Sequence, residues 1–136
     1  QEARTACEIL RPFPPYQLDM VALHSRILAA QSQPAEALRV CEEMVRQIES
    51  LGLLSYGLID LYVALAEAHQ RLGNDTAARE VLTRTRSVLE QRVADIPEDA
   101  MRATYLTAVP ENARFLALAL ELGVPVGALG AAPSSA

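Results

Sequence analysis

The chain has 136 residues, of which 51% are hydrophobic, only 4% are aromatic and none is tryptophan. This length and a core rich in Ala, Leu and Val are typical of one helical domain. The formal net charge is −5, and the basic residues, all arginine, gather on no single predicted face, so we expect no direct binding to nucleic acid.

The first predicted helix covers residues 2–11 and ends at the proline-rich run 12–15, because proline cannot continue a helix. Residues 16–50 then predict a helical hairpin. Its first helix opens at Tyr16 and runs as far as Gln31. Pro34 stands at the expected first position of the second helix, where a missing N–H costs nothing.

Residues 58–94 predict a second hairpin, and its pattern is the clearest in the chain. Apolar side chains recur every three or four positions in each helix, which places them on one buried face. Those of the first helix are Leu58, Leu61, Tyr62, Leu65, Ala68 and Leu72, and those of the second are Val81, Leu82, Thr85, Val88 and Leu89. Gly73 is expected to end the first helix in the left-handed conformation, and Asn74 or Asp75 to cap the second.

The third hairpin is predicted over residues 98–122. Pro97 separates it from the preceding helix, and Pro110 starts its second helix. Gly123 and Pro125 end that helix, and the small residues of 123–136 predict a flexible tail.

The central hairpin resembles a tetratricopeptide repeat, a helical hairpin of 34 residues. The residues that carry the resemblance are Tyr62, Leu65-Ala66, His69, Ala78, Leu82 and Thr85, although His69 and Thr85 depart from the preferred types. The resemblance implies an all-α fold of antiparallel hairpins stacked as a solenoid, with about seven helices, in a single array over residues 1–122. In that array residues 1–15 would be the last helix of a preceding repeat, and 98–122 a terminal capping hairpin.

Cys7 and Cys41 are 34 positions apart, which is one repeat length. Equivalent positions in stacked repeats lie roughly 10 Å apart, too far for a disulfide. We therefore expect two buried thiols in a reducing compartment.

The resemblance also implies a concave groove lined by the first helix of each hairpin. The family's binding positions correspond here to Asp19, Arg26, Asp60, Val63, Glu67, Gln70 and Arg71. Relatives that clamp a terminal carboxylate use Lys and Asn where this chain has Ala22, Arg26, Val63 and Glu67, so we do not expect that activity. The expected partner is a protein or peptide, either an amphipathic helix or a neighbouring domain of the parent chain.

Residues 105–119 are similar to segments that end such arrays in large multidomain bacterial regulators, including signalling ATPases, Ser/Thr kinases, nucleotide cyclases and transcription activators. The resemblance implies a C-terminal sensor or scaffold region, and we expect a cytoplasmic location. The lack of an initiating Met or a signal-peptide pattern fits a fragment of a larger protein.

Nothing in the sequence forms a recognisable catalytic, metal or cofactor site. His24 and His69 have no second ligand at metal-binding spacing. Ser55 lacks the glycine and strand of a nucleophile elbow. Arg114, Glu121 and Pro125 interrupt the apolar C-terminal stretch, which argues against a membrane span. We therefore expect a non-catalytic interaction or regulatory module. The alternatives are a small-ligand sensing region of a transcription activator and, less favoured, a fragment of an all-α enzyme.

Overall fold

The computed structural model describes residues 14–51, 58–127 and 129, and side chains from residue 20 onward within those ranges, except that of Leu51. This part of the chain contains six helices and no strand, so the predicted all-α class is confirmed. The helices are α1 Pro14–Ala30, α2 Pro34–Leu51, α3 Leu58–Arg71, α4 Asp75–Ala94, α5 Asp99–Ala108 and α6 Pro110–Leu122. The predicted helix at 2–11, Cys7 and Ser55 lie outside the described residues.

Helix α1 begins at Pro14, two residues before the predicted start at Tyr16. Its first turn tolerates the two prolines because the first amides of a helix have no partner within the helix. The α1 helix ends where Ser32 takes a φ of 61° and the Gln33 amide donates to the Leu28 carbonyl at 2.8 Å. Pro34 is the first residue of α2, as predicted.

The turn between α3 and α4 agrees with the sequence prediction at the end of α3. Gly73 has a φ of 79°, and the Asn74 amide donates to the His69 carbonyl at 2.8 Å. Asn74 holds the capping position of α4 but makes no side-chain capping hydrogen bond. Asp75, in the first turn, places a negative charge near the positive end of the helix dipole.

Helix α3 is the centre of the packing, because it contacts α1, α2, α4 and α6. Nine of its 14 residues are buried, which is more than the single face that the sequence predicts. Helices on several sides explain the difference. Ala78 of α4 is 0% exposed. Thr85 is also buried and satisfies its hydroxyl by donating to the Val81 carbonyl at 2.8 Å. Leu72 is exposed, since it follows the end of α3.

The C-terminal hairpin joins the rest of the fold through α6, which packs against α3, α4 and α5. This hairpin buries two polar side chains. Arg102 of α5 is 1% exposed, donates to the Ile96 carbonyl and pairs with Asp99. Asn112 of α6 donates to the Tyr105 carbonyl at 3.1 Å. These bonds connect the two short helices to each other and to the preceding loop.

The segment after α6 differs from the predicted flexible tail. Gly123, with a φ of 74°, ends α6 as expected. Val124 and Leu129 are then buried in the main core, and Arg86 donates to the Pro125 carbonyl at 2.7 Å. Apolar burial and an arginine of α4 therefore connect this segment to the core, which the sequence did not predict. Residues 130–136 lie outside the described part.

Candidate functional site

Three of the predicted groove residues form an ion network between α1 and α3. The Arg26 guanidinium pairs with Asp60 at 2.8 Å through Nη1. It also donates to one oxygen of Glu67, at 3.2 Å from Nε and 3.1 Å from Nη2. Asp60 and Glu67 are two turns apart on α3 and so share one face. One arginine therefore bridges two carboxylates along the length of the helix.

The network is partly shielded from water and reaches a third helix. The side chains of Arg26, Asp60 and Glu67 are 21%, 20% and 30% exposed. Arg114 of α6 lies 3.9 Å from Asp60 and is 52% exposed. Two guanidinium groups thus face two carboxylates, and the local formal charge is zero. Partial burial strengthens these contacts relative to fully solvated pairs.

A groove with a volume of about 460 Å³ lies between α3 and α6. Its lining residues are Glu67, Gln70, Arg71, Arg114, Ala117, Leu118 and Glu121. Gln70 donates to Glu121 across the groove at 3.0 Å, which links the two helices. A much smaller depression, of about 10 Å³, lies between α1 and α3 and is also lined by Arg71. Only the first is large enough to receive a group from another molecule.

Arg71 is the charged side chain of the groove with no hydrogen bond or ion pair to another described residue. It is exposed and lies at the end of α3. A guanidinium group presents five N–H donors, which makes it a frequent anchor of protein interfaces. Arg71 therefore offers the groove its most available hydrogen-bonding group.

The structure brings together Arg26, Asp60, Glu67, Gln70 and Arg71 at one edge of α1 and α3, and so places most of the predicted set on a common surface. Val63 does not belong to that surface. It is 0% exposed, because α3 is enclosed by its neighbours at this level. Asp19 lies on α1, but its side chain is outside the described part.

The sequence predictions missed the contribution of α6, which supplies Arg114, Ala117, Leu118 and Glu121 to the groove. Helix α6 was expected only to cap the array. A signal was present, because Arg114 and Glu121 are seven residues apart and therefore share one side of the helix. The pattern does not reveal that this side is turned toward α3.

Cys41 is buried, as predicted, and lies in the main core. Removal of the thiol from water raises its pKa to about 11, which keeps it protonated at neutral pH and poorly nucleophilic. Within the described residues there is no group of three or more His, Cys, Asp and Glu arranged to hold a metal. None of the helices in this part of the chain has the length and apolarity needed to cross a membrane.

Comparison of the chain with protein-family models, with curated proteins and with solved structures finds no significant match.

Proposed function

We propose that the chain is a non-catalytic protein-interaction module that holds a helical segment of a partner, or of a neighbouring domain of the same parent chain, in the groove between α3 and α6. The observation that carries this proposal is the groove itself, whose lining combines apolar side chains with Arg71, a residue that has no ion pair or hydrogen bond to another described side chain. Charged and apolar groups in this arrangement suit an amphipathic partner.

The arrangement of groups in the groove favours a protein partner. Ala117 and Leu118 supply the apolar part of the lining, while Glu67, Arg71 and Glu121 supply polar groups. Protein interfaces commonly combine an apolar centre with a polar rim. The small side chain of Ala117 gives room for a residue of the incoming helix.

The packing of the helices supports a tetratricopeptide-like array. Helix α3 contacts both α1 and α2, and α6 contacts both α3 and α4. This is the neighbour pattern expected when the first helix of each hairpin packs on the preceding hairpin. On this reading α1, α3 and α6 line the concave face, although α6 is the second helix of its own hairpin and α5 the first.

A small-ligand sensor is the second candidate, and the groove volume favours it. About 460 Å³ lies within the roughly 300–1,000 Å³ of small-molecule sites. Such sites are mostly apolar, however, whereas four of the side chains that line this groove are charged. The lining therefore favours a protein partner over a small ligand.

Selection from a displayed library of helical peptides tests the proposal. Peptides that bind the full chain should lose affinity about tenfold or more in Arg71→Glu, because truncating or reversing an arginine anchor costs on the order of 2 kcal/mol. Arg79→Glu on α4 is the matched control, since Arg79 is also exposed and its side chain has no described partner. Peptides that bind both variants equally well would contradict the groove assignment. A thermal-shift screen with small molecules gives the sensor its own test.

A further inference from the structure

The side of α6 that faces away from the core carries an unexplained apolar stripe. Phe115, Leu118 and Ala119 are buried against the fold. Ala113, Ala117 and Leu120 fall on the opposite side, at spacings of four and three residues. Leu120 is 81% exposed. No helix of the described part covers this stripe.

Two opposite charges border the stripe along one edge. Arg114 is 52% exposed, and Glu121 is exposed at the other end of the same edge. Arg114 precedes Ala117 by three residues and Glu121 follows it by four. The edge therefore has a positive half and a negative half, with a small residue between them.

We propose that this face binds a second copy of the chain, with the two α6 helices antiparallel and Ala117 near a two-fold axis. In such an isologous pair the same edge meets itself in the reverse direction. Arg114, which lies 3.9 Å from Asp60 of its own chain and is 52% exposed, is then opposite Glu121 of the other copy, and two ion pairs form. A charge pattern complementary to its own reverse favours a second copy over an unrelated protein.

The side chains at the centre of the pair permit close contact. Ala117 allows the helix axes to approach to about 8–10 Å, and Leu120 of each copy is removed from water beside it. Glu121 uses Oε1 to accept from Gln70, which leaves Oε2 for the second copy. A helix of 13 residues is only about 20 Å long, so the interface is small and the dimer weak.

This inference goes beyond the proposed function and does not rest on it. The two are connected, because Arg114, Ala117 and Glu121 also line the groove between α3 and α6. A dimer through α6 therefore competes with a helical partner for the same groove wall.

Sedimentation equilibrium of the full chain over roughly 10 µM to 1 mM tests the proposal. Wild type should show a monomer–dimer equilibrium. Arg114→Glu and Glu121→Arg should each weaken association by about tenfold, because each places like charges opposite one another twice. Leu120→Gln should weaken it as well. Arg79→Glu, on the exposed side of α4, should leave it unchanged.

A mixture of the two charge variants provides the sharpest outcome. Arg114→Glu has two acidic groups on the edge and Glu121→Arg has two basic groups, so the pair of variants is complementary at both contacts. An equimolar mixture should form a 1:1 heterodimer, whereas each variant alone should associate much more weakly. Circular dichroism and melting of each variant establish that both are folded. A monomeric wild type, a dimer indifferent to Leu120→Gln, or folded variants that fail to associate when mixed would each overturn the proposal.

Discussion

Arg26 of α1 donates two hydrogen bonds to a single oxygen of Glu67 on α3, although the two residues are 41 positions apart in the sequence. The same guanidinium pairs with Asp60. This contact fixes one hairpin against the next at the edge of the groove. The charges of Arg26, Asp60 and Glu67 are therefore partly neutralised within the fold and are less available to a partner.

Arg26→Met should lower the free energy of unfolding by about 1–2 kcal/mol, because it retains much of the apolar stem but leaves two partly buried carboxylates without their shared cation. Urea unfolding measures the change. Arg46→Met is the control, since Arg46 is exposed on α2 and its side chain has no described partner. Equal stability of the two variants would show that the Arg26 network is only a surface feature.

Ala78→Leu should destabilise the protein by about 1–3 kcal/mol, because Ala78 is fully buried between α4 and its neighbours and a larger side chain overpacks the site. Thermal melts compare it with Ala35→Leu, an exposed position near the start of α2. A melting temperature of Ala78→Leu that matches the control would refute close packing at this position.

A chain that ends at Gly123 should be less stable than one that ends at Gly130, by about 2–4 kcal/mol. The shorter chain loses the buried side chains of Val124 and Leu129 and the acceptor of the Arg86 hydrogen bond. Chemical unfolding of the two truncations checks this. If both unfold at the same denaturant concentration, the segment after α6 contributes nothing to stability.

The Cys41 thiol should react with a thiol reagent far more slowly in the folded chain than in urea, in a Cys7→Ser background. Burial raises its pKa from 9.0 to about 11, so the folded state retains a proton that the unfolded state releases.

The stabilising contribution of the Cys41 thiol is complete below pH 9 and is lost as the pH rises to about 11. Cys41→Ala should show a smaller loss of stability across that interval, and an identical loss would refute the assignment.

Local signals predicted the helix boundaries well, because prolines and glycines act through their own backbone geometry. Pro34 and Pro110 begin helices, and Gly73 and Gly123 end them. Long-range contacts were less accessible. Helical spacing shows that Val63 and Glu67 are near one another on α3. It does not show which of them a neighbouring helix covers. The burial of Val124 was missed for a similar reason. The small, loop-forming residues around it in the sequence give no sign that it packs in the main core.

The sequence predicted only part of the groove, because local patterns do not reveal long-range packing. The positions on α1 and α3 follow from the resemblance to a known repeat, whereas α6 departs from that pattern and was expected to be a cap. Arg114 and Glu121 therefore gained their place in the groove only from the packing of α6 against α3.

Amide chemical-shift mapping tests whether a helix binds between α3 and α6, because it locates a bound helix without assuming which residues hold it. A helical peptide selected for binding is titrated into the isotopically labelled chain. The largest shifts should occur at residues 67–71 of α3 and 114–121 of α6, and they should disappear in Arg71→Glu at the same peptide concentration. Shifts confined to α2 and the outer side of α4, with those two segments unaffected, would refute binding in the groove.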